Sequence, residues 1–538
     1  MKKKGQMLSQ RVREIPLSRK WIVGAGAIFL LAAVYLFTHL GVYSLWDDEA
    51  ETALGARAII QTGDTAATLD HNLNARRGGI NLRNLHDRST PPLASYLMAA
   101  SFALGQQNSF FARAPFSLLG LVAVFLMLKF CREKNISFSC LVIFGIVLLT
   151  QVSFFLYFRQ GRYYSPSIFL FILVVYLYLK DWKSPWIRRW VGFLLALQYL
   201  SHPMIFVQVS AILFFDWLIF RRRECPFEWR WILDCGAPLL LLLGPALCVW
   251  NPFLTKSSEY LGEVHFLDRL TLLYWNIRDL FTAEFIPVIT VLLAPIAFFL
   301  SKNKWILRCG TGLLILVVTT SLISWQRVPY SPVADVRYII VAIPIGIALT
   351  CITFSALLPK NFFSWLVVAL LIGTNLSSGK ILIEGRLGSV PLSWWRELAW
   401  PNQEPYSPVI EWVRKNVPDK GSIWVEPDYM MYPLMFHAPQ ATYAWQLTDF
   451  NNPEWQGLSA IHFKGRERPD YVIAFGPIVS QVRPLLTQME DANNTYVQVG
   501  QINVFWKDLY RPEIFWRSFH SISTFGQPNE NIYIFQKK

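Results

Sequence analysis

Apolar residues in the first 380 positions come in long runs, and short polar segments separate these runs. A helical run of about 20 apolar residues matches the hydrocarbon thickness of a bilayer, so the pattern predicts about eleven transmembrane helices. They lie at 21–40, 112–131, 137–158, 163–180, 188–202, 203–220, 230–250, 285–302, 305–324, 338–358 and 362–379. The pair at 188–220 is one long apolar run that Ser201, His202 and Pro203 divide into two short spans.

A different pattern begins at residue 381, where the apolar runs become short and alternate with polar positions. Helical spacing is found in PVIEWVRKNV, DYMMYPLMFHA and VSQVRPLLTQME, and strand-like segments are SIWVEP, RPDYVIAF, NVFWKD and NIYIF. Strands that alternate with helices predict a small α/β domain. We therefore divide the chain into a transmembrane domain at 1–380 and an α/β domain at 381–538.

The first outer segment, at 41–111, opens with YSLWDDEAETALGARAIIQTGD. This spacing predicts an amphipathic juxtamembrane helix that starts with Asp47, Asp48, Glu49 and Glu51. Carboxylates favour the positive end of a helix dipole, so a solvated helix start is the structural alternative to a functional cluster.

Charge gives the chain an orientation. Lys and Arg are concentrated in the N-terminal segment and in every second connection, at 131–135, 180–189, 221–230, 301–305 and 359–361. The positive-inside rule then predicts a cytoplasmic N-terminus and a periplasmic or extracellular C-terminal domain, in a multi-pass protein of the cytoplasmic membrane. Because these turns account for most of the net charge of +14, we expect no nucleic-acid partner.

With this orientation, most residues capable of acid–base or anion-binding chemistry lie on the outer side. Besides the cluster at 47–51, they are His71, His86, Asp87, Arg88, Arg159, Arg162, His202, Glu263, His265, Arg327 and Arg337. Each has an ordinary structural explanation: the pair Arg337-Tyr338 is typical of an interfacial anchor, and His202 of a packed turn histidine. Their gathering on one side nevertheless indicates an active site.

Several segments carry a resemblance to a known family. They are the order W-D-D-E-x-E-x-A-L-x-A-R from Trp46, then T-P-P-L-A-S-Y at 90–96, and F-x-A-R-x-P-F at 110–116. The chain thereby resembles the polyprenyl-phosphate-dependent C-type (GT-C) glycosyltransferases, which include protein O-mannosyltransferases and the lipid A aminoarabinose transferase. The similarity continues through Arg162-Tyr163, Ser201-His202-Pro203, His265 and Arg337-Tyr338, and touches most of residues 20–380.

The resemblance implies an inverting transfer of a sugar from a polyprenyl-phosphate donor in the membrane to a glycan, lipid or protein acceptor. The family's essential acid falls on Asp48, with Glu49 beside it, as the group that takes the acceptor's proton. Cations would stabilise the departing phosphate. The expected phosphate-binding residues are Arg337, Tyr338, Arg327, Arg162 and Arg88.

The resemblance also implies a divalent metal ion, because one relative binds a metal through an acid in the first loop and a later histidine. His265 matches the histidine by its context. The acid's place falls on Thr90, which leaves Asp87 and His86 as the nearest substitutes, and the family's Lys before Pro is absent.

Two other functions fit parts of the pattern. A lipid or sugar transporter, or flippase, would place ionisable groups near the membrane midplane and often shows internal repeats, and neither feature is present in this sequence. An oligosaccharyltransferase-like enzyme is closer, but the pair Trp394-Trp395 continues with Arg-Glu, which does not match that family's signature.

Overall fold

The structure, a computed structural model, describes residues 18–256, 266–282, 285–324, 326, 328, 335–377, 381–401, 404, 406–489, 495–505 and 529–538. The chain is a largely helical, multi-pass membrane protein. Its first fifteen helices are α1 (Arg19–Phe37), α2 (Asp47–Thr62), α3 (Leu93–Leu104), α4 (Ser109–Glu133), α5 (Phe138–Thr150), α6 (Val152–Phe158), α7 (Tyr164–Lys180), α8 (Pro185–Ser201), α9 (Pro203–Asp216), α10 (Arg230–Val249), α11 (Phe266–Thr282), α12 (Val288–Ser301), α13 (Lys304–Ile323), α14 (Ala342–Leu357) and α15 (Phe362–Ile372).

Five helical segments among the described residues are long and apolar enough to cross a membrane. They are Arg19–Phe37, Ser109–Glu133, Pro203–Arg221, Arg230–Leu254 and Lys304–Ile323. The bent pair α5 and α6 adds a sixth candidate, and five further apolar helices of 10–17 residues are shorter than this test requires. The count of about eleven spans stays a prediction.

Local sequence explains where several of these helices begin. The side chains of Asn108, Ser137 and Asn361 each accept a backbone N–H of the first turn of their helix, which satisfies a donor that has no partner within the helix. Pro203 opens α9, directly after α8 ends at Ser201. The predicted division of the run at 188–220 is therefore present, because proline suits the first turn of a helix and not its interior.

The run at 137–158, predicted as one span, is interrupted by a bend and is either a broken span or a re-entrant loop. It forms two helices, α5 and α6, that meet at an angle of 61°. The bend lies at Gln151, whose backbone leaves the helical conformation with φ −81° and ψ 74°. In the turn that follows α6, the N–H of Gly161 contacts Glu49 of the first outer segment, and Arg159 contacts the end of α1.

The first outer segment contains α2, two small antiparallel hairpins and α3. The hairpins are formed by β1 (Thr68–Leu69) with β2 (Asn72–Leu73), and by β3 (Leu82–Arg83) with β4 (His86–Asp87). Helix α2 packs against α3 and ends at Gly63, whose φ of 80° is the left-handed conformation that glycine adopts readily.

The remaining helices are α16 (Ile381–Glu384), α17 (Val390–Ala399), α18 (Tyr406–Asn416), α19 (Met431–His437) and α20 (Val479–Met489). The strands β5 (Ser422–Glu426), β6 (Thr442–Tyr443), β7 (Tyr471–Phe475), β8 (Tyr496–Phe505) and β9 (Asn529–Lys537) form one sheet in the order β6-β5-β7-β9-β8. Strands β6, β5 and β7 are parallel, and β9 is antiparallel to both of its neighbours. The predicted helices and strands after residue 381 are present where the structure describes them, with NVFWKD described only as far as Phe505 at the end of β8. The division into domains at 1–380 and 381–538 stays a prediction.

This sheet is attached to the first outer segment by hydrogen bonds. The buried side chain of Asn72 donates to the carbonyl oxygens of Pro439 and Ala441, at 3.2 and 2.8 Å, and accepts the N–H of Tyr443 at 2.9 Å. Arg57 of α2 donates to the carbonyl oxygen of Phe436 at 3.0 Å. The two parts of the chain therefore hold each other in place.

Candidate active site

The four acidic residues of α2 are buried, with exposed fractions of 6% for Asp47, 7% for Asp48, 0% for Glu49 and 7% for Glu51. A merely solvated helix start would leave them exposed. Burying a charge without a partner is very unfavourable, so such carboxylates need cations close by. Arginines from distant parts of the chain supply them for Asp48, Glu49 and Glu51.

Glu49 pairs with Arg113 of α4, whose Nη2 lies 2.5 Å from Oε2 and whose Nε lies 3.0 Å from Oε1. The N–H of Gly161 also donates to Oε1, at 2.8 Å. Arg113 uses its other donors on the carbonyl oxygens of Leu40, Tyr43 and Ser44. This closed arrangement ties α2 to α4 and to the turn after α6, and it favours a structural role for Glu49 over the predicted catalytic one.

Asp48 has a different environment, because three guanidinium groups converge on its carboxylate. Arg76 Nη2 lies 3.1 Å from Oδ1, and Oδ2 lies 3.2 Å from Arg162 Nη2 and 3.3 Å from Arg337 Nη1. Arg162 also donates to the carbonyl oxygen of Asp48 and to the hydroxyl of Thr52. Of the predicted residues, the structure thus brings Asp48, Arg162 and Arg337 together.

Two further carboxylates hold the three arginines in place. Glu51 Oε2 lies 2.8 Å from Arg76 Nη1 and 3.8 Å from Arg162 Nη1. Asp335 accepts two hydrogen bonds from Arg337, at 2.8 Å from Nε and 2.6 Å from Nη2. Burial acts to lower the pKa of Arg76, but Glu51 and Asp48 more than offset it and raise that pKa above its ordinary value. The guanidinium groups are therefore permanently charged.

The ring of His202 lies close to two tyrosines, Tyr163 and Tyr338, which directly follow Arg162 and Arg337 in the sequence. Its ring centroid is 4.5 Å from that of Tyr163 and 5.5 Å from that of Tyr338. Ser201 donates to the carbonyl oxygen of Tyr163, and Gln208 Nε2 to that of Tyr338 at 2.7 Å. The junction of α8 and α9 therefore supports both backbone segments that carry Arg162 and Arg337.

Arg88, His86 and Asp87 have other partners. Arg88 forms a bidentate pair with Asp64, at 2.7 and 2.6 Å, and His86 Nδ1 lies 2.7 Å from the carbonyl oxygen of Asn84. Asp87 accepts the N–H groups of Ser89 and Thr90, and burial raises its pKa. Arg88 therefore neutralises a neighbouring acid and does not contact the carboxylate of Asp48.

Three residues named from the sequence, Glu263, His265 and Arg327, lie outside the described part of the chain. Within the part that is described, no three His, Cys, Asp or Glu side chains group closely enough to hold a metal ion. The metal assignment of His265, Asp87 and His86 stays a prediction.

Sequence reasoning missed Arg76, Asp335 and Arg113 as members of the site. Arg113 stands in the F-x-A-R-x-P-F segment that helped to carry the resemblance, so its position was marked although its role was not. Arg76 and Asp335 had no such signal, because nothing in their local sequence distinguishes them from other charged loop residues.

No protein-family model matches this chain, and no curated protein sequence does either. Solved structures do match. ArnT from Cupriavidus metallidurans bound to undecaprenyl phosphate superposes with a TM-score of 0.55 and 12% identity over 96% of this chain and 98% of that one. The apo state of the same protein gives a TM-score of 0.52 and 12% identity over 87% and 94%.

A likeness that spans nearly the whole of both chains at 12% identity shows the fold: this chain has the GT-C fold that ArnT also has. The oligosaccharyltransferase of Archaeoglobus fulgidus gives a TM-score of 0.43 and 10% identity over 80% of this chain and 65% of that chain, which is too low to support an argument.

Proposed function

We propose that the chain is an inverting glycosyltransferase that moves a sugar from a polyprenyl-phosphate donor to a glycan, lipid or protein acceptor. The observation that carries the proposal is the buried Asp48 carboxylate with Arg76, Arg162 and Arg337 around it. One carboxylate shared by three guanidinium groups combines a proton acceptor with a phosphate-binding surface. The likeness to ArnT, which was solved with undecaprenyl phosphate, supports a lipid donor of this kind.

In the proposed reaction, the acceptor oxygen attacks the anomeric carbon of the donor sugar. Asp48 takes the proton of the attacking hydroxyl as the new carbon–oxygen bond forms. The bond between the anomeric carbon and the phosphate oxygen breaks, and its electron pair remains on the phosphate. The negative charge that grows there is stabilised by the guanidinium groups, with Tyr338 beside Arg337.

The ion pairs of Asp48 would change when the donor binds. Without a bound phosphate, the Asp48 carboxylate occupies the arginines as an internal anion. A donor phosphate can take over these contacts because guanidinium groups bind phosphate oxygens bidentately. Asp48 would then lose cationic partners and become a better proton acceptor, while Glu51 and Asp335 keep the arginines in position.

The donor would come from the membrane and not from a soluble nucleotide sugar. The described connections on the side that we assign to the cytoplasm are turns, and none of them forms a nucleotide-binding α/β sheet. We place the site at the outer face of the cytoplasmic membrane, with the N-terminus inside and the α/β domain outside. A divalent ion held by His265, with Asp87 or His86, remains part of the proposal.

The experiment that tests this function is reconstitution of the purified protein in liposomes with each type of donor. We expect sugar transfer when the liposomes contain a polyprenyl-phosphate sugar, and release of polyprenyl phosphate in equal amount. Nucleotide sugars without any polyprenyl phosphate should give none. Transfer from a nucleotide sugar alone would refute the proposed donor.

A further inference from the structure

A cavity with a mixed polar and apolar lining lies beside the Glu49–Arg113 pair. It is bounded by the end of α1, the segment before α2, the turn after α6 and helix α17. Its lining includes Tyr43, Trp46, Arg159, Trp394 and Glu397, together with Glu49 and Arg113, whose charges pair with each other. The Asp48 cluster is not part of this lining, so the reaction proposed above makes no use of the cavity.

Arg159 brings a cation to this cavity. Its Nη1 donates to the carbonyl oxygens of Tyr35 and Leu36 at the end of α1, at 2.8 and 3.1 Å. Its guanidinium carbon lies 5.3 Å from the centre of the Trp394 ring. None of the described carboxylates comes within ion-pair distance of this guanidinium. Its other N–H groups are therefore suited to an external anion, and guanidinium binds phosphate oxygens well.

The opposite charge in the cavity is Glu397 of α17, which is 8% exposed and accepts a hydrogen bond from the hydroxyl of Tyr43 at 3.3 Å. Trp46 and Trp394 contribute aromatic rings beside it. A carboxylate together with aromatic rings is a favourable environment for an ammonium group. The cavity thus offers an anion-binding cation and an ammonium-binding group side by side.

Helix α17 indicates the level of the cavity relative to the membrane. Trp394 and Glu397 are buried, whereas Leu392, Trp395 and Trp400 are exposed by 51%, 41% and 75%. Exposed tryptophans on an amphipathic helix are typical of the membrane–water interface. The other wall begins directly after α1, which is a candidate membrane span. The cavity therefore lies where phospholipid headgroups are found.

We propose that this cavity binds the zwitterionic headgroup of an aminophospholipid such as phosphatidylethanolamine. The phosphate would contact Arg159 and the ammonium group would contact Glu397 and the aromatic rings. Such a lipid would contact both α1 and α17 and stabilise their packing at the membrane–water interface. The proposal is independent of the glycosyltransferase function, since it uses none of the residues assigned to the reaction.

The test is native mass spectrometry of the full-length protein after reconstitution with equal amounts of phosphatidylethanolamine, phosphatidylglycerol and phosphatidylcholine. We expect phosphatidylethanolamine to be retained preferentially. Arg159→Gln should reduce its retention by about tenfold, the loss expected for one charge-assisted hydrogen bond. Glu397→Gln should abolish the preference for phosphatidylethanolamine over phosphatidylglycerol. Arg396→Gln, an exposed change on the same helix, should alter neither property.

Equal lipid retention by folded Arg159→Gln protein and the unmodified protein would overturn the proposal. So would a headgroup preference that survives Glu397→Gln. Arg159 also binds the end of α1, so Arg159→Gln could prevent folding. In that case Glu397→Gln, which keeps an oxygen for the Tyr43 hydroxyl, tests the proposal by itself. Displacement of the retained lipid by undecaprenyl phosphate would assign the cavity to the donor and also overturn the proposal.

Discussion

Asp48 differs from the other acidic residues of α2 in the number of guanidinium groups that reach it, which is three. We expect Asp48→Asn to reduce transfer by about 10²- to 10⁴-fold, the usual contribution of a general base. An amide cannot accept the acceptor's proton. The same change removes the internal anion from the arginines, so affinity for polyprenyl phosphate should rise.

Transfer rates and polyprenyl phosphate binding, both measured in proteoliposomes, check this prediction. Asp70→Asn is the matched control, because Asp70 is an exposed acid of the same outer segment. Transfer at the normal rate by folded Asp48→Asn protein would remove Asp48 from the reaction.

Arg337 is held by two hydrogen bonds to Asp335 while a third nitrogen reaches Asp48. A lysine ammonium cannot keep this planar, three-way geometry. We expect Arg337→Lys to raise the KM for the donor by about tenfold, as one lost charge-assisted contact would do. An interfacial anchor would tolerate lysine, so an unchanged KM would support the anchor. Arg83→Lys, at an exposed arginine, is the control.

Glu49 and Arg113 form a pair that is nearly inaccessible to solvent, with side-chain exposures of 0% and 7%. Glu49→Gln removes one charge and leaves the other buried, which typically costs about 3–5 kcal/mol of folding stability. We therefore expect a lower Tm in detergent and near-normal transfer per folded molecule. A normal Tm combined with lost transfer would instead make Glu49 a catalytic residue.

Among the elements, α19 is joined to the start of α2 by a histidine. The N–H of Leu45 donates to His437 Nε2 at 3.1 Å, which requires a neutral imidazole. Burial, followed by the charges of Arg113, Arg414 and Arg57, lowers the pKa of His437 to about 3. In the unfolded chain the imidazole would have an ordinary pKa of about 6.5.

The unfolded state therefore binds more protons than the folded state between these two pKa values, and stability falls as the pH drops below about 6.5. At about pH 5, we expect His437 to account for a loss of roughly 2 kcal/mol. This loss of stability is measured by thermal unfolding, and by hydrogen exchange of the Leu45 amide, at about pH 7.5 and about pH 5. The variant His437→Gln, which does not titrate in this range, is the comparison. Identical pH dependence in both proteins would contradict this account.

At the scale of the whole molecule, the α/β sheet and the first outer segment are joined through Asn72, which makes three hydrogen bonds to the backbone. Asn72→Ala leaves these buried groups without partners, so we expect a loss of about 2 kcal/mol or more. Hydrogen exchange should become faster in the hairpins at 68–87 and in β6. The exposed Asn451→Ala is the control, and unchanged exchange would show that the two parts are held together by other contacts.

The sequence by itself determined the features that depend on neighbouring residues. Apolar length identified a multi-pass membrane protein, and Pro203 predicted the division between α8 and α9. Short runs rich in β-branched and aromatic residues predicted β5, β7 and β9. The acidic start of α2 was also visible, because helix dipole and spacing are local properties. The resemblance built on these segments led to the GT-C fold, which the comparison with ArnT confirms.

Only the tertiary structure decided which charges meet. Arg337 reaches Asp48 across 289 positions of sequence, and Arg113 reaches Glu49 across 64. Nothing local distinguishes the shared carboxylate of Asp48 from the enclosed one of Glu49 in the next position. Their side chains leave α2 in different directions, so Asp48 faces Arg76, Arg162 and Arg337, and Glu49 faces Arg113 of α4. A buried carboxylate is stable only beside a cation, and the fold determines which arginines lie close enough to Asp48 and Glu49 to pair with them.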